Sequence, residues 1–439
     1  MLLQAVLQIL HRNGKSEQKM TNTQENKKER AILCGLAAAS LGEEESSSEV
    51  SMEELWALVE TAGGEPVAML TQNRPTPDPR SFIGEGKVQE LKELLENNDC
   101  TLAVFDNELS PSQMRVLGED LGVKVMDRAG LILDIFAQRA RTREGQLQVE
   151  LAQYKYLLPR LLGMWTHLER QEGAIGTRGP GETQLESDRR HIRRKIQKLE
   201  EELAEVRKNR ATQRRRREKN ELPMVALVGY TNAGKSTLLN LLTGSDIPAN
   251  DRLFDTLDTT TRRMMVDESQ EILLSDTVGF IRKLPTHLIE AFKATLEELS
   301  FADALLHVID LSNPEWETQA RIVDALIAQL GADRTPCIRV YNKCDAYSGL
   351  LPRERDAVCI SAKTGEGADE LLRLVAETLG RDKRRAAFLL PYDKGALVQL
   401  LHDEGKVFSL EYTENGTRIE ALVKIELWAK LREYAEGEP

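Results

Sequence analysis

The sequence lacks the cysteine pattern of a zinc site or of a disulfide framework. Its five cysteines, at positions 34, 100, 337, 344 and 359, contain no C-x-x-C pair and are odd in number. Structural zinc sites and disulfide-rich domains use paired or regularly spaced cysteines. The cysteine content therefore favours a protein of the reducing cytoplasm.

Long apolar runs are also missing. A membrane-spanning helix needs about 20 consecutive apolar residues, and no segment of the chain reaches that length. The opening MLLQAVLQIL has no basic residue before it and no small-residue cleavage site after it. We therefore interpret residues 1–28 as an N-terminal extension, with Met20 as a candidate start, and not as a signal peptide. We expect no membrane contact.

The chain as a whole has no excess of positive charge, because 71 Asp and Glu residues outnumber 59 Lys and Arg residues. The net charge of −12 argues on average against nucleic-acid binding. The segment from Asp188 to Asn220 is an exception, because it holds 14 Lys or Arg residues and only 6 Asp or Glu residues. The apolar fraction of 41% and the charged fraction of 30% are typical of a soluble globular protein. A chain of 439 residues is too long for one core, so we expect three or four domains.

Alternating strand-like and helix-like patterns predict two α/β domains and a small third one. Short apolar runs at 31–37, 66–70, 102–106 and 123–126 alternate with helical patterns, which predicts an N-terminal α/β domain at residues 29–145. The alternation resumes in residues 221–381, the second α/β domain. Residues 382–439 predict a small α/β module whose hairpin turns at 414–416.

Residues 146–220 have helical periodicity only. One apolar stripe runs from Leu147 to Leu161, and Pro159 is expected to kink that helix. A second stripe, from Ile192 to Val206, has a 4-3-4-3 spacing. We interpret the two as an antiparallel helical-hairpin arm with a glycine-rich tip at 173–182. The heptad spacing fits packing within the arm or between two copies. We prefer the first and expect a monomer.

A phosphate-binding loop follows the apolar strand MVALV. Residues 229–236 read G-x-x-x-x-G-K-S, and a helical pattern begins at the end of this loop. The glycines let backbone N–H groups converge on phosphate oxygens, where the helix N-terminus adds its positive end. We expect Lys235 to contact the β- and γ-phosphates and Ser236 to bind Mg²⁺. The candidate phosphate-binding residues are Gly229, Tyr230, Thr231, Asn232, Ala233, Gly234, Lys235, Ser236 and Thr237.

A base-specificity motif stands at the end of the predicted strand IRVY. Residues 342–345, N-K-C-D, resemble the N-K-x-D motif of the P-loop GTPases. The resemblance implies that Asp345 accepts hydrogen bonds from N1–H and the 2-amino group of guanine. Adenine offers neither donor, and an unpaired buried carboxylate would penalise it. The S-A-K loop of the same family matches residues 361–363. The implied base-pocket residues, for GTP or GDP, are Asn342, Lys343, Asp345, Ser361, Ala362 and Lys363.

Two further segments resemble the switch regions of the same GTPases. Asp276, Thr277, Val278 and Gly279 match D-x-x-G, which implies that Asp276 holds Mg²⁺ through water and that the Gly279 N–H senses the γ-phosphate. Phe254, Asp255, Thr256, Leu257 and Asp258 resemble the first switch, with Thr256 as the second hydroxyl ligand of Mg²⁺. The neighbouring Thr259, Thr260 and Thr261 are alternatives to Thr256. The implied catalytic residues are Lys235, Thr256 and Gly279.

The residue after Gly279 is Phe280, where many switch GTPases carry a water-orienting glutamine. A phenyl ring cannot orient water by hydrogen bonding, so we expect the isolated protein to hydrolyse GTP slowly and to depend on a partner, a backbone group or a bound ion. We also expect the ring of Phe280 to be packed away. Asn232 resembles the asparagine with which potassium-stimulated relatives help to coordinate K⁺. K⁺ is therefore our hypothesis for a second cofactor beside Mg²⁺.

Together these segments resemble the HflX family of GTPases. The resemblance rests on SFIGEGKVQEL (81–91), GTRGPGETQLESDRR (176–190), GYTNAGKSTLLN (229–240), FDTLDTTTR (254–262) and SDTVGFIRKLP (275–285). Thr259 departs from it, since family members usually carry proline there. The implied fold is α/β: a P-loop GTPase domain with an N-terminal α/β domain, a helical-hairpin arm and a small C-terminal α/β module.

The resemblance also implies a cytoplasmic, ribosome-associated protein that binds the large (50S) ribosomal subunit and splits stalled or idle 70S ribosomes. The arm offers phosphate contacts for ribosomal RNA, although a basic helix end is often only a solvated cap. The alternative function is a GTP-dependent signalling switch that binds a protein effector. The candidate RNA contacts are Arg178, Arg189, Arg190, Arg193 and Arg194.

Overall fold

The computed structural model describes residues 28–42, 45–161, 180–218, 222–245, 253–254, 260–266, 270–284, 288, 299, 301–380 and 383–436. Three β-sheets lie in this part of the chain, and their strand orders are β2-β1-β3-β4, β10-β9-β8-β5-β7-β6 and β12-β13-β11-β14. No helix in the described residues is both long enough and apolar enough to span a membrane. The predicted α/β fold class is confirmed. Residues 1–27 of the predicted N-terminal extension lie outside the described residues.

The first sheet is parallel throughout and is flanked by helices on both faces. Residues of β1 alternate between two cores, because successive side chains of a strand point to opposite faces. Ala31 and Leu33 belong to one core, and Ile32, Cys34 and Leu36 to the other. The elements are β1 Arg30–Ala38, α1 Glu49–Thr61, β2 Glu65–Arg74, α2 Glu85–Asn97, β3 Leu102–Phe105, α3 Pro111–Leu121, β4 Lys124–Asp127 and α4 Arg128–Arg139.

Local sequence determines where these helices begin. Ser48 and Ser110 each accept a hydrogen bond from a backbone N–H of the first turn, at Ser51 and Gln113. Such caps satisfy N–H groups that have no partner inside the helix. Asp127 caps α4 in the same way through the Gly130 N–H. Asp127 is thus both the last residue of β4 and the N-cap of α4, and we call this point the β4–α4 junction.

The arm consists of α5 (Arg143–Leu157) and α6 (Pro180–Glu218). Ion pairs join Arg143 to Glu202 and Glu150 to Lys195, so residues later in one helix meet residues earlier in the other, as in an antiparallel pair. Leu147, Leu151 and Tyr154 of α5 pack on α6, and they share a core with Leu161, Ile192, Leu199 and Leu203.

Two details of the arm differ from the prediction. The helix α5 ends at Leu157 and the chain turns over 158–160, whereas we expected Pro159 to kink a continuous helix. Proline cannot donate to the carbonyl four residues earlier, and its ring clashes with that carbonyl. The second helix begins at Pro180, within the predicted tip, because proline suits the first turn of a helix. The rest of that tip, 173–179, lies outside the described residues.

The second sheet has six strands, of which only β6 is antiparallel to its neighbour. The strand β6 was missing from the sequence-based prediction. Its residues TTRRMM show no apolar run, and only Met264 among them is buried. The elements are β5 Met224–Gly229, α7 Lys235–Thr243, β6 Thr260–Met265, β7 Glu271–Asp276, β8 Ala304–Asp310, α8 Trp316–Gln329, β9 Cys337–Asn342, β10 Ala357–Cys359 and α9 Ala368–Gly380.

The third sheet is antiparallel and packs on two helices around Phe388 and Ile419. Its hairpin turns at 414–415, as predicted, and Gly416 follows with φ +144°, a conformation that other residues rarely adopt. The elements are β11 Lys383–Leu390, α10 Gly395–Glu404, β12 Gly405–Thr413, β13 Gly416–Lys424, α11 Ile425–Leu431 and β14 Ala435–Glu436.

Candidate nucleotide-binding site

The loop between β5 and α7 has a backbone that only glycine tolerates at its two ends. Gly229 and Gly234 have φ values of +156° and +93°. A side chain at Gly229 would collide with the Val308 carbonyl oxygen, and one at Gly234 with the Asn342 side chain. Asn232, on the crest, has φ +61° and is exposed. The loop is thus a cradle pressed closely onto β8 and β9.

Lys235 is buried beneath this loop. Its Nζ donates to the carbonyl oxygens of Gly229, at 3.1 Å, and of Tyr230, at 2.8 Å. Burial lowers the pKa of Lys235 to about 8, although the nearby Asp276 carboxylate acts in the opposite direction. A buried ammonium held only by neutral carbonyl groups lacks full compensation for the water it has lost. The geometry therefore favours an anion beside Lys235.

A hydroxyl and a carboxylate meet at the start of α7. Ser236 Oγ donates to Asp276 Oδ2 at 2.8 Å, and Asp276 is 1% exposed at the end of β7. The adjacent Thr277 is buried as well, and its hydroxyl donates to the Leu227 carbonyl oxygen. Hydroxyl and carboxylate oxygens are the ligand types that Mg²⁺ prefers, so the donor set of this pair fits that ion.

The segment after Thr277 runs directly alongside the phosphate loop. Phe280 N donates to the Gly229 carbonyl oxygen at 3.1 Å, and Thr231 N donates to the Phe280 carbonyl oxygen at 2.7 Å. A side chain at Gly279 would crowd Lys235 Nζ and Thr231. The ring of Phe280 is 2% exposed, in agreement with the expectation that it is packed away. Val278 is buried too.

Asn342 joins the phosphate loop to the segment 361–363. Its Nδ2 donates to the Ala233 carbonyl oxygen at 2.8 Å, and its Oδ1 accepts from Ala362 N at 2.9 Å. Ser361 is fully buried and its hydroxyl accepts from Thr364 N. The two predicted halves of the base pocket, 342–345 and 361–363, are therefore both connected to the phosphate loop by the buried side-chain amide of Asn342.

The remaining base-pocket residues lie at the rim. Lys343 has φ +60°, and its Nζ pairs with Asp310 at 2.7 Å. Asp345, on a short 3-10 turn, and Lys363 are both exposed. The contact of Asp345 with guanine stays a prediction, and the exposed carboxylate is accessible to a base. Sequence reasoning missed Asp310, although an Asp at the end of an apolar strand was a usable signal.

The first switch is described only in part. Phe254 is 2% exposed and makes an edge-to-face contact with Phe136 of α4, with ring centroids 4.6 Å apart. The described contact of Phe254 is therefore with the N-terminal domain, and its contact with the nucleotide stays a prediction. Thr261 Oγ1 lies 3.2 Å from Ser275 Oγ on the neighbouring strand, and Thr260 also belongs to β6. Asp255, Thr256, Leu257, Asp258 and Thr259 lie outside the described residues.

The phosphate-loop tyrosine has a contact that its motif did not reveal. Tyr230 is 4% exposed, and its hydroxyl donates to Glu54 Oε1 of α1 at 2.6 Å. The same hydroxyl accepts from Arg282 N at 2.8 Å. Burial, followed by the Glu54 charge, raises the pKa of Tyr230 well above its usual value. No local sequence signal indicates a partner 176 residues away.

The candidate RNA contacts lie on the first half of α6. Arg190, Arg193 and Arg194 are exposed, whereas Arg189 is half-buried. Arg190 makes only a loose ion pair with Glu186, at 3.6 Å on an exposed face, and such pairs contribute little to stability. Arg178 lies outside the described residues. The described arginines thus form a basic strip on the arm.

Three protein-family models match the chain in succession. Residues 49–137 match a model described as GTP-binding GTPase N-terminal, and residues 139–217 one described as GTP-binding GTPase Middle Region. Residues 224–343 match a model described as 50S ribosome-binding GTPase.

Solved structures with a GTP-binding fold are also similar. A complex titled SsGBP with GDP is 25% identical, with a TM-score of 0.46, over 80% of this chain and 98% of that chain. A GTP-binding protein of Sulfolobus solfataricus with GDP is 24% identical, with a TM-score of 0.42, over the same shares.

Curated proteins named GTPase HflX align with nearly the whole chain. The one from Caldanaerobacter subterraneus subsp. tengcongensis is 47% identical over 407 residues, which are 93% of this chain and 94% of that protein. The one from Lacrimispora saccharolytica is 48% identical, over 93% and 97%. The one from Escherichia coli K12 is 46% identical, over 79% and 83%. With this identity and these three matching models, the chain belongs to the HflX family of GTPases.

Proposed function

We propose that this GTPase binds the 50S ribosomal subunit in its GTP form, splits stalled or idle 70S ribosomes into subunits, and leaves when GTP is hydrolysed. The observation that supports this most directly is the presence, in one chain, of a nucleotide cradle and a long basic arm. Residues 224–343 match a model described as 50S ribosome-binding GTPase, which favours the ribosome as the partner over a free protein effector.

The phosphate roles follow from the contacts of the loop. Lys235 Nζ exchanges the two loop carbonyls for β- and γ-phosphate oxygens, which restores a counter-charge to the buried ammonium. The backbone N–H groups of residues 230–237 surround the same phosphates at the N-terminus of α7. Gly279 lies beside Lys235, where its N–H reports the presence of the γ-phosphate.

Mg²⁺ fits the oxygen pair formed by Ser236 and Asp276. We propose Ser236 and Thr256 as its hydroxyl ligands, with Asp276 holding the ion through water. When bound, the ion neutralises the charge on the β- and γ-phosphate oxygens.

Base selection is assigned to the rim formed by 342–345 and 361–363. Asp345 accepts from the guanine N1–H and 2-amino group, and Ala362 and Lys363 pack on the base. Because Asn342 fixes the position of Ala362 relative to the phosphate loop, the base and the phosphates are positioned together. This coupling favours guanosine triphosphate over a nucleotide that fits only the base pocket or only the phosphate loop.

Hydrolysis by the isolated protein is proposed to be slow. The position after Gly279 carries the buried ring of Phe280, which has no group to orient an attacking water. A partner, a backbone group or a bound ion is therefore needed to complete the site, and the ribosomal subunit is our candidate for the partner. K⁺ near the exposed Asn232 is a second contribution that we propose, as a charge close to the β/γ bridge.

The arm is proposed to contact ribosomal RNA. Phosphate contacts from arginine release counterions, so binding should weaken with salt in proportion to the number of contacts. Arg190, Arg193 and Arg194 offer three such charges on an exposed face. The half-buried Arg189 belongs to the same set, and Arg178, outside the described residues, is a further proposed contact.

The experiment that tests the proposal is sedimentation with purified 50S subunits, combined with light scattering of 70S ribosomes. The protein with a non-hydrolysable GTP analogue should sediment with 50S and reduce the 70S signal, and 50S should raise GTP turnover by about tenfold or more. No sedimentation and no stimulation would refute it. GTP-dependent capture of a protein, without any ribosome response, would favour the signalling switch.

A matched pair of variants tests the arm. Changing Arg190, Arg193 and Arg194 together to glutamine should weaken 50S binding and reduce the slope of log affinity against log salt by about 2 to 3. Nucleotide affinity should stay the same, because the basic strip lies on α6 of the arm and the phosphate loop joins β5 to α7. The control changes three exposed arginines of the GTPase domain, at 321, 334 and 373, to glutamine. Equal effects of the two triple variants would contradict a specific arm contact.

A further inference from the structure

The N-terminal domain contacts the segment that follows the second switch motif. Lys283 has φ +54°, a left-handed conformation that is costly for a residue with a side chain. Its Nζ pairs with the carboxylate of Asp106, which is fully buried at the end of β3. Ser47 and Ser51 donate to the same carboxylate, at 2.7 Å and 2.8 Å. The strained backbone thus delivers one charged group into the other domain.

The first switch has a matching contact. Phe254 also has a left-handed backbone, with φ +56°. Its ring is inserted edge-to-face against Phe136 of α4, and both rings are 2% exposed. Each switch region is therefore attached to the N-terminal domain through one left-handed residue whose side chain is largely buried there.

The phosphate loop joins the same network through Tyr230. Its hydroxyl donates to Glu54, and Arg128 forms ion pairs with both Glu54 and Asp106. These contacts form a charge cluster of two carboxylates, one guanidinium and one ammonium, so its charges balance. Its members are Glu54, Asp106, Arg128 and Lys283. Burial alone would raise the pKa of Asp106, but Arg128 and Lys283 hold it below its usual value. Withdrawal of Lys283 would leave a buried carboxylate with one counter-charge fewer, a costly state.

The residue before Arg128 contacts the arm. Asp127 Oδ1 accepts from the Tyr156 hydroxyl at 2.6 Å, and its Oδ2 accepts from Arg160 Nη2 at 3.1 Å. Tyr156 lies in the last turn of α5, and the Arg160 guanidinium stacks on its ring at 3.6 Å. Two consecutive residues at the β4–α4 junction therefore connect the switch regions on one side and the root of the arm on the other.

We infer that Asp127 and Arg128 form a positioning relay, through which the state of the two switches sets the position of the arm. When the switches rearrange around the γ-phosphate, Lys283 and Phe254 move relative to Asp106 and Phe136. The charge cluster stays balanced only if the β4–α4 junction moves with them. Tyr156 and Arg160 of the arm are hydrogen-bonded to that junction and would move as well. The inference deepens the proposed function and rests on it only where the arm's ribosomal role is concerned.

Hydrogen exchange of the full-length protein, with GDP and with a non-hydrolysable GTP analogue, tests the relay without a ribosome. Amides in 124–139 and 143–157 should change exchange rate by about fivefold or more between the two nucleotides. Lys283→Gln and Phe136→Leu should shrink that difference at least about twofold, and Lys283→Arg should restore it. The restoration separates a role in signalling from a merely structural role.

Arg282→Gln is the matched control. It removes an ion pair of the same segment, at 3.0 Å to Glu315, which lies within the GTPase domain, so the nucleotide-dependent difference should persist. If Lys283→Gln does not fold, the conservative variant Phe136→Leu is used to test whether the nucleotide-dependent difference in exchange shrinks. An unchanged difference in Phe136→Leu, or no difference at all in the unsubstituted protein, would overturn the relay. A protein that shows the relay but does not bind 50S would refute the proposed function alone.

Discussion

The side-chain amide of Asn342 donates to the carbonyl oxygen of Ala233 at 2.8 Å, across 109 residues of sequence. Its other end accepts from Ala362 N at 2.9 Å. One buried side chain therefore holds the phosphate loop and the base loop in register. The phosphate loop, the N-K-x-D motif and the S-A-K loop form one site partly because this amide joins them.

Replacing Asn342 with alanine should separate the two halves of the site. The change leaves the Ala362 N–H and the Ala233 carbonyl oxygen without that partner, at a cost of about 1–3 kcal/mol. GTP affinity should fall by about tenfold or more, measured by titration with a fluorescent GTP analogue. Asn98→Ala serves as the control, since its Nδ2 caps a carbonyl of α2 in the other domain. Equal affinities for the two variants would contradict the bridging role.

The buried Lys235 should make the stability of the nucleotide-free protein depend on pH. The folded-state pKa is about 8 and the ordinary value is 10.5. Between these values the unfolded chain holds more protons, so the free energy of unfolding should rise with pH across this window. Below pH 8 both states carry the proton, and the folded state bears the full cost of the buried charge.

Lys235→Met should remove this part of the pH dependence. Chemical denaturation of both proteins across pH 8 to 10.5 gives the difference, in which the other titrating groups cancel. The variant should be the more stable protein below pH 8 and should bind GTP poorly. A difference that does not change with pH would show that the ammonium of Lys235 is not buried in the folded protein.

Asp345→Asn should change the preferred base. The amide presents a donor where guanine needs an acceptor, so affinity should shift from guanosine toward xanthosine nucleotides. We expect GTP affinity to drop by about 100-fold or more. Competition between GTP and XTP for the same fluorescent analogue measures the shift. Unchanged GTP affinity would contradict the assignment of Asp345 to the base.

Turnover should depend on the monovalent cation if Asn232 helps to hold K⁺. GTP hydrolysis should be faster in KCl than in NaCl at matched ionic strength, and Asn232→Ala should abolish the difference. Asn240→Ala, on α7 outside the loop, is the control. Equal rates of the unsubstituted protein in the two salts would eliminate the K⁺ hypothesis.

The positions of three motifs were predictable because each motif follows one of the parallel strands of the six-stranded sheet. The carboxyl ends of β5, β7 and β9 meet at one edge of that sheet, so residues such as Ser236, Asp276 and Asn342 converge there. Hydrophobic periodicity and glycine placement determine where those strands end. The fold class and the convergence of these three motifs were therefore available from local patterns.

The contacts between domains were not predictable in the same way. Tyr230 meets Glu54 across 176 residues and Lys283 meets Asp106 across 177. A polar side chain in a loop gives no sign of a partner that is fixed only by tertiary packing. The strand β6 escaped prediction for a related reason, since it pairs through its backbone while its side chains remain mostly exposed.

The central claim is that the rim around Asp345 and the cradle around Lys235 select guanosine triphosphate. Titration calorimetry of the purified protein with GTP and with ATP, in the presence of Mg²⁺, tests it most directly. Binding of GTP should be tighter by about 100-fold or more. Equal affinity for the two nucleotides would contradict the claim.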